Sequence, residues 1–143
     1  MAGSGGPLSG LKVFELAHIM AGPTCGLMLA DMGADVIKVE KVPGGDDSRH
    51  FLPPDIDGEA AAFMMMNRNK RGIAVNLKDE AGKEVLKRLL KTPDAVIENY
   101  RIDTMTSWAW GMTCFARKTR GLFIAPFRVS GVPALMPSGA AST

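Results

Sequence analysis

The sequence predicts an α/β protein with a doubly wound, mainly parallel β-sheet. Two strand–helix–strand units indicate this fold, one over residues 11–41 and the other over residues 73–98. In each unit two short apolar runs flank one helical pattern, which is typical of a βαβ crossover. Because such crossovers cover a parallel sheet with helices, the alternation predicts the class.

In the first unit we predict strands over residues 11–16 and 34–39, with a helix between them. Pro23 is expected as the first helical residue, where its missing N–H costs nothing. Gly33 suits the left-handed cap that ends a helix. The helix N-terminus follows the first strand directly, so its free amides can face an anion. The buried helical face is predicted from apolar residues at 3–4–3 spacing: Cys25, Met28, Leu29 and Met32.

Turn-forming residues then dominate residues 42–62, which predicts a long loop of the kind that often has a function. Residues 60–66 form a short apolar run, expected to be a buried helical turn. Residues 67–71 form a polar, basic loop, and residues 73–77 are predicted as the third strand.

In the second unit Asp79 is a plausible N-cap, and residues 94–98 are predicted as the fourth strand. Neither G-x-G-x-x-G nor G-x-x-x-x-G-K-[ST] is present, so the common dinucleotide and P-loop interpretations are not supported. The helix that begins after Asp79, between the third and fourth strands, is expected to bury a stripe of Val85, Leu86, Leu89 and Leu90.

Composition indicates a soluble, single-domain protein of 143 residues with 46% hydrophobic and 22% charged residues. No apolar run approaches the roughly 20 residues that span a bilayer, and the first residues lack the features of a signal peptide. With two cysteines and two histidines at unpaired spacing, we expect reduced thiols, a cytoplasmic location and no metal site.

Charge changes abruptly along the chain. Residues 1–103 contain 13 basic and all 15 acidic residues, a net charge of −2, whereas residues 104–143 contain four basic residues and no acidic one. The last 40 residues also have no sustained helical or strand periodicity. Four dispersed charges do not make a phosphate-binding patch, so no nucleic-acid partner is expected.

Four strings in order, PLSGLKVFELAHIMAGPTCGLMLADMGADVIKVEK, GGDDSR, NRNKRGIAVNLK and DAVIENYR, resemble the family III CoA-transferases, which include the α-methylacyl-CoA racemases. The resemblance covers residues 7–101. It implies that residues 1–103 are the N-terminal part of a truncated, CoA-binding, Rossmann-like domain, followed by an irregular tail over residues 104–143.

Four segments should meet at one edge of the sheet, because parallel strands place their carboxyl ends together. Cations there would meet the CoA phosphates, backbone amides would meet phosphate oxygens, and apolar side chains would cover the adenine. The resemblance implies CoA-binding roles for nine residues, and the charge of Arg101 adds a tenth: His18, Ile19, Met20, Ala21, Lys41, Val75, Lys78, Asn99, Tyr100 and Arg101.

Each of these residues also has a plainer interpretation. A histidine at a strand end often bonds only to the backbone, Lys41 and Lys78 would be ordinary surface lysines, and Asn99 would be a turn-former. The other charged loop residues are expected to be solvated acids (Asp46 and Asp47) or loop anchors (Arg49 and Arg71).

The resemblance implies transfer of CoA from an acyl-CoA to a carboxylic acid through an aspartyl intermediate. In the family the nucleophilic aspartate lies further along than this chain extends, so no catalytic residue is named. Two alternatives stay open, a 2-methylacyl-CoA racemase and an inactive CoA-binding fragment. For the full-length family member we expect a homodimer with acyl-CoA and acid substrates and no membrane partner.

A reading-frame slip near Met105 would explain the tail. Back-translation of residues 123–143 with degenerate codons, read one register off, permits the string YCAVSGFGRTGPYAERGGFD, and the same shift over residues 106–112 permits KLGLGY. Both strings resemble what the family carries after ENYR, in the same order. Phe stands where the racemases carry a His, which favours a transferase.

Overall fold

A computed structural model of the chain describes residues 5–100 and the backbone of residues 123–126. Arg101 and most of the predicted irregular tail therefore lie outside the described residues. A short 3-10 helix, Asp47–His50, follows the second strand. The other elements are, in order, β1 Lys12–Leu16, α1 Ala21–Asp31, β2 Asp35–Lys41, β3 Asp55–Ile56, β4 Glu59–Ala60, α2 Ala61–Asn67, β5 Arg71–Val75, α3 Glu80–Leu89, β6 Ala95–Glu98 and β7 Phe123–Pro126.

Five parallel strands form the main sheet in the order β5-β2-β1-β6-β7, and β3 and β4 form a separate antiparallel ribbon. Both neighbours of β1 are fixed in register, with Glu15 opposite Lys38 of β2 and Leu16 opposite Glu98 of β6. The predicted α/β class with a mainly parallel sheet is thus confirmed. No strand was predicted over the residues of β7, which pairs with β6.

Alternate residues of the strands feed two cores on opposite faces of the sheet. One core includes Phe14 and Leu16 of β1 and receives Leu86 from α3 and Leu90 from the C-cap of that helix. The other includes Val13 and receives small residues from α1 and its C-terminal turn, among them Ala30 and Ala34. Helices therefore cover both faces, as a doubly wound sheet requires.

The predicted buried face of α1 is confirmed in part: Cys25 and Leu29 pack against the core, but the two methionines do not belong to it. Met28 is 61% exposed and Met32 is 38% exposed, and Cys25 and Leu29 are half-buried. The helix lies so close to the sheet that size, not hydropathy, selects its inner face: a Cβ at Gly22 would overlap the side chain of Ala17. Pro23 is the third helical residue, not the first, a position that also needs no N–H. The residues that α1 buries are Gly22, Pro23, Gly26 and Ala30.

The ends of α1 and α3 agree better with the sequence. Gly33 has a φ of 98° after the last turn of α1, as predicted for a C-terminal cap. The Asp79 side chain caps α3 by accepting from the Ala81 N–H at 3.4 Å. Leu86 of α3 and Leu90 at its C-cap are buried as expected, but Val85 is 43% exposed because it lies beside that stripe.

The middle of the chain differs in detail from the prediction. β5 begins two residues earlier than expected and ends at Val75, although Leu77 beyond it is still buried. The predicted loop contains the 3-10 helix and the β3–β4 ribbon. α2 is a helix of seven residues that buries Met66, half-buries the four residues before Met65 and leaves Met65 64% exposed, so the expected buried helical turn is confirmed in part. Within residues 5–100, no helix is long and apolar enough to cross a membrane.

We predict that Gly26→Ala destabilises the fold, although alanine is the better helix former. A Cβ at this position would overlap Oε2 of Glu15, which ion pairs hold in place beneath the helix. We expect the free energy of unfolding to fall by about 2 kcal/mol, as overpacking of a core does. Urea denaturation measures this change.

The matched control is Gly72→Ala in β5. A Cβ there would lie 3.9 Å from the nearest atom, an oxygen of Glu40, which is ordinary contact. Equal urea midpoints for the two variants would contradict the close approach of α1 to Glu15.

Candidate functional site

The loop after β1 is fixed to the loop after β6 by one side chain. Asn99 Oδ1 accepts from the His18 N–H at 2.9 Å, and Asn99 Nδ2 donates to the His18 carbonyl at 2.8 Å. These paired bonds use both ends of the amide and both backbone groups of one residue. Two segments 81 residues apart in sequence are thereby held in register at the carboxyl edge of the sheet.

His18 and Tyr100 form a second link between these loops. Nε2 of His18 lies 2.8 Å from the Tyr100 hydroxyl, and the rings meet edge to face with centroids 5.2 Å apart. Burial lowers the pKa of His18, although the charge of Asp46 opposes this effect. Burial, together with the charges of Asp46 and Glu98, raises the pKa of Tyr100. Both rings are therefore neutral at pH 7, and the buried Nδ1 of His18 has no hydrogen-bond partner among the described residues.

The next two residues of this loop present apolar surface. Ile19 has a left-handed backbone with φ of 69° and is 40% exposed, and Met20 is 60% exposed. Met20 is also the N-cap residue of α1 and provides no capping hydrogen bond from its side chain. The first turn of α1, beginning at Ala21, therefore leaves backbone N–H groups directed at whatever lies beyond the strand ends.

The side chain of Asp46 fixes the backbone of Ile19, the residue with the left-handed conformation. Its side chain is fully buried, and its Oδ1 accepts from the Ile19 N–H at 3.0 Å and from the N–H and hydroxyl of Ser48 at 2.9 and 2.8 Å. Burial alone would raise the pKa of this carboxyl, but the bonds and charge from Lys38 and the bond from Ser48 lower it to about 2. The expectation that Asp46 is a solvated acid is wrong.

Asp46 belongs to a row of four buried charges under α1. Lys38 Nζ lies 2.7 Å from Asp46 Oδ2 and 2.9 Å from Glu15 Oε1, and Lys70 Nζ lies 2.7 Å from the other oxygen of Glu15. Each of these side chains is at most 3% exposed. We name this alternating chain Lys70–Glu15–Lys38–Asp46 the buried charge row. Sequence analysis missed it, although a lysine between two apolar residues of a buried strand was a signal.

A shallower part of the site follows β2. Lys41 forms an ion pair with Asp47, and both side chains are about half exposed. Arg49 binds both carboxylate oxygens of Glu40, at 2.8 and 2.9 Å, and its guanidinium lies over the ring of Phe63. It is the loop anchor that the sequence suggested. A cavity of about 250 Å³ opens between these residues and the Gly44–Gly45 turn.

The other predicted site residues are more dispersed. Val75 lies opposite Lys41 in the strand register, but its side chain is 6% exposed and packs in the core beneath the edge. Lys78 is exposed, and its N–H bonds to the Asn76 side chain at 3.1 Å. Arg71, expected as a loop anchor, instead begins β5 and pairs with Asp35 on the surface.

The strand order places these positions along one edge of the sheet. From β5 through β2 and β1 to β6, three strand spacings cover ~15 Å. One connected group lies along this edge of the sheet, formed by His18, Ile19, Asn99 and Tyr100. In the described ranges no three His, Cys, Asp or Glu side chains cluster as metal ligands would.

Comparison with known proteins identifies the family. Residues 8–126 match the family model of CoA-transferase family III, so the chain belongs to this family. A succinate–glutarate CoA-transferase of Agrobacterium fabrum is 50% identical over 108 residues, 71% of this chain and 27% of that protein. A formyl-CoA:oxalate CoA-transferase of Escherichia coli O6:H1 is 47% identical over 96 residues, 66% of this chain and 23% of that protein. The chain thus spans about a quarter of the length of these relatives.

Solved structures agree with this assignment. A CAIB/BAIF family protein from Brucella suis superimposes with a TM-score of 0.82 at 39% identity, over 94% of this chain and 36% of that one. The sheet and its flanking helices are therefore those of the N-terminal part of a larger family fold.

We predict that His18 makes stability depend on pH. Because burial lowers its pKa in the folded state, the unfolded chain binds the proton more tightly. Its contribution is complete above the unfolded pKa of about 6.5 and is lost as the pH falls below that value. Between about pH 7.5 and 5, the urea midpoint of His18→Gln should fall less than that of the wild type.

The matched control is His50→Gln, because His50 is exposed on the 3-10 helix. This variant should keep the wild-type decrease. A decrease of equal size in His18→Gln would show that His18 is not the titrating group.

Proposed function

We propose that this chain is the CoA-binding part of an enzyme that transfers CoA from an acyl-CoA to a carboxylic acid. The observation that supports this most directly is the pair of hydrogen bonds between the Asn99 side chain and the backbone of His18, which we call the Asn99 clamp. It holds a left-handed, apolar loop and the uncapped start of α1 together at the carboxyl edge of a parallel sheet. Open α/β sheets bind ligands at this edge, and anions favour helix N-termini.

Each part of CoA has suitable groups in this proposal. The first amides of α1 and the ammonium groups of Lys41 and Lys78 would receive the phosphates. The exposed side chains of Ile19 and Met20 would cover apolar parts of the ligand. Lys41 is available for this role, because a half-exposed ion pair such as the one with Asp47 contributes little. Arg101 would add charge next to Tyr100.

For the whole protein we propose covalent catalysis by an aspartate that lies beyond this chain. Its carboxylate would attack the acyl-CoA thioester, releasing the CoA thiolate and forming a mixed anhydride. The thiolate would then attack the aspartyl carbonyl, releasing the donor acid and leaving an aspartyl-CoA thioester. An acceptor carboxylate would attack this thioester, expelling the thiolate and forming a second mixed anhydride. Attack of the thiolate on the acceptor's carbonyl would give the new acyl-CoA and free the aspartate. We further propose that the enzyme is a cytoplasmic homodimer.

The alternatives differ in chemistry that an assay separates. The names of the relatives, which are CoA-transferases for succinate, glutarate and oxalate, favour transfer over epimerisation. A transferase would exchange CoA between succinyl-CoA and a panel of dicarboxylic acids. A racemase would instead exchange the α-proton of a 2-methylacyl-CoA, and an inactive fragment would do neither.

We also propose that residues 104–143 are read from a shifted frame. The sudden loss of acidic residues and the family-like strings in the other register support this interpretation. Resequencing the gene across the codons for residues 99–113 and on to the next stop is the test. An inserted or deleted base, followed by an open reading frame in the other register, would support the proposal and identify the full-length protein to assay. An unaltered sequence in the present frame would contradict it.

We predict that this chain binds CoA and that Lys41→Gln weakens binding about three- to tenfold, because one charge-assisted contact to a phosphate is lost. Isothermal titration calorimetry measures both affinities. The affinity of the variant should also depend less on salt, since fewer charges are screened.

Lys91→Gln is the control, because Lys91 follows α3 at the opposite edge of the sheet and is exposed. Its affinity for CoA should equal that of the wild type. If both variants bind as the wild type does, Lys41 has no place in the site; if the wild type does not bind CoA, the proposed function is wrong.

A further inference from the structure

The buried charge row reaches the candidate site at a single atom. From Lys70 under α1, the row runs through Glu15 and Lys38 to Oδ2 of Asp46, with successive charged atoms 2.7–2.9 Å apart. The other oxygen of Asp46, Oδ1, accepts from the Ile19 N–H at 3.0 Å. Asp46 is thus charge-paired through one oxygen and bonded through the other to the loop of residues 17–20 between β1 and α1, which we call the ligand loop.

Ile19 needs such a partner. A φ of 69° is an outlier for a β-branched residue, and a backbone in this region persists only where its surroundings hold it. Its neighbour His18 is held by Asn99 through two hydrogen bonds. Between them, Asn99 and Asp46 fix two consecutive peptide N–H groups just before α1 begins.

We propose that Asp46 is a positioning residue for the ligand loop, acting through the Ile19 N–H rather than by touching the substrate. The inference rests on the proposed CoA site. By fixing Ile19, Asp46 sets where Met20 and the first amides of α1 point. Loss of this acceptor should therefore weaken CoA binding even in a chain that remains folded.

A purely structural role is the alternative, and charge balance separates the two. The row contains two carboxylates and two ammonium groups, so changing Asp46 alone leaves Lys38 with an uncompensated charge. Combining the change with Lys38→Met restores the balance, because Glu15 keeps Lys70. The pair to compare is Asp46→Asn with Lys38→Met, which keeps an acceptor for Ile19, and Asp46→Leu with Lys38→Met, which does not.

Two readouts are measured on both double variants: CoA affinity by calorimetry and hydrogen exchange of single amides by NMR. We expect the leucine variant to bind CoA about tenfold more weakly than the asparagine variant, and its Ile19 amide to exchange about tenfold faster. The amide of Val36 in β2 should exchange equally in both. If Asp46 had only a structural role, the amides of Ile19 and Val36 would both exchange faster in the leucine variant.

Three results overturn the proposal: equal CoA affinity in the two double variants, equal exchange at Ile19, or parallel changes at Ile19 and Val36. If the leucine variant does not fold, Asp46→Ser with Lys38→Met replaces it, since serine can still cap the 3-10 helix but has a shorter reach. If the wild type fails to bind CoA, the proposed function fails, and Ile19 exchange alone decides whether Asp46 holds the loop.

Discussion

The ion pairs of Lys38 are the constraint on which the rest of this structure depends. An ammonium group on an interior strand is tolerated only where carboxylates and carbonyls surround it, and here Glu15, Asp46 and the Ala17 carbonyl do so. Meeting that requirement brings together β1, β2 and the loop after β2. It also leaves no room above Glu15 for anything larger than the hydrogen of Gly26, so α1 packs through small residues.

Charged and neutral side chains occupy different parts of this site. Beneath the edge, two acids and two lysines pair with each other, and none is left to attract a ligand. At the edge, His18 and Tyr100 are neutral because burial disfavours their charged forms. In the proposed CoA site, recognition of the phosphates would therefore rest on backbone N–H groups at the start of α1 and on exposed lysines, not on a buried cation.

The sequence predicted the parallel sheet because apolar runs and turn residues alternate regularly, and β1, β2 and β6 lie within two residues of their predicted bounds. It failed where a choice depended on space or on partners distant in sequence. The inner face of α1 is decided by how near the helix lies to Ala17 and Glu15, which hydropathy does not encode. Asp46 was predicted as solvated because it lies beside Asp47 in a Gly-rich loop, where nothing in the sequence indicates its contacts with Ile19 and Lys38. His18, Asn99 and Tyr100 were selected by their place after strand ends, together with the resemblance to a family, and not by periodicity.

The Asn99 clamp also dictates an order of assembly. β1 pairs with β2 after a helix and a turn, whereas its pairing with β6 closes a loop of about eighty residues. Contacts between such distant segments form late, because the chain must first lose the entropy of closing that loop. A nascent chain can therefore complete β1, α1 and β2 well before His18 acquires its partner. The edge that carries the candidate site is therefore complete only after β6 has paired with β1.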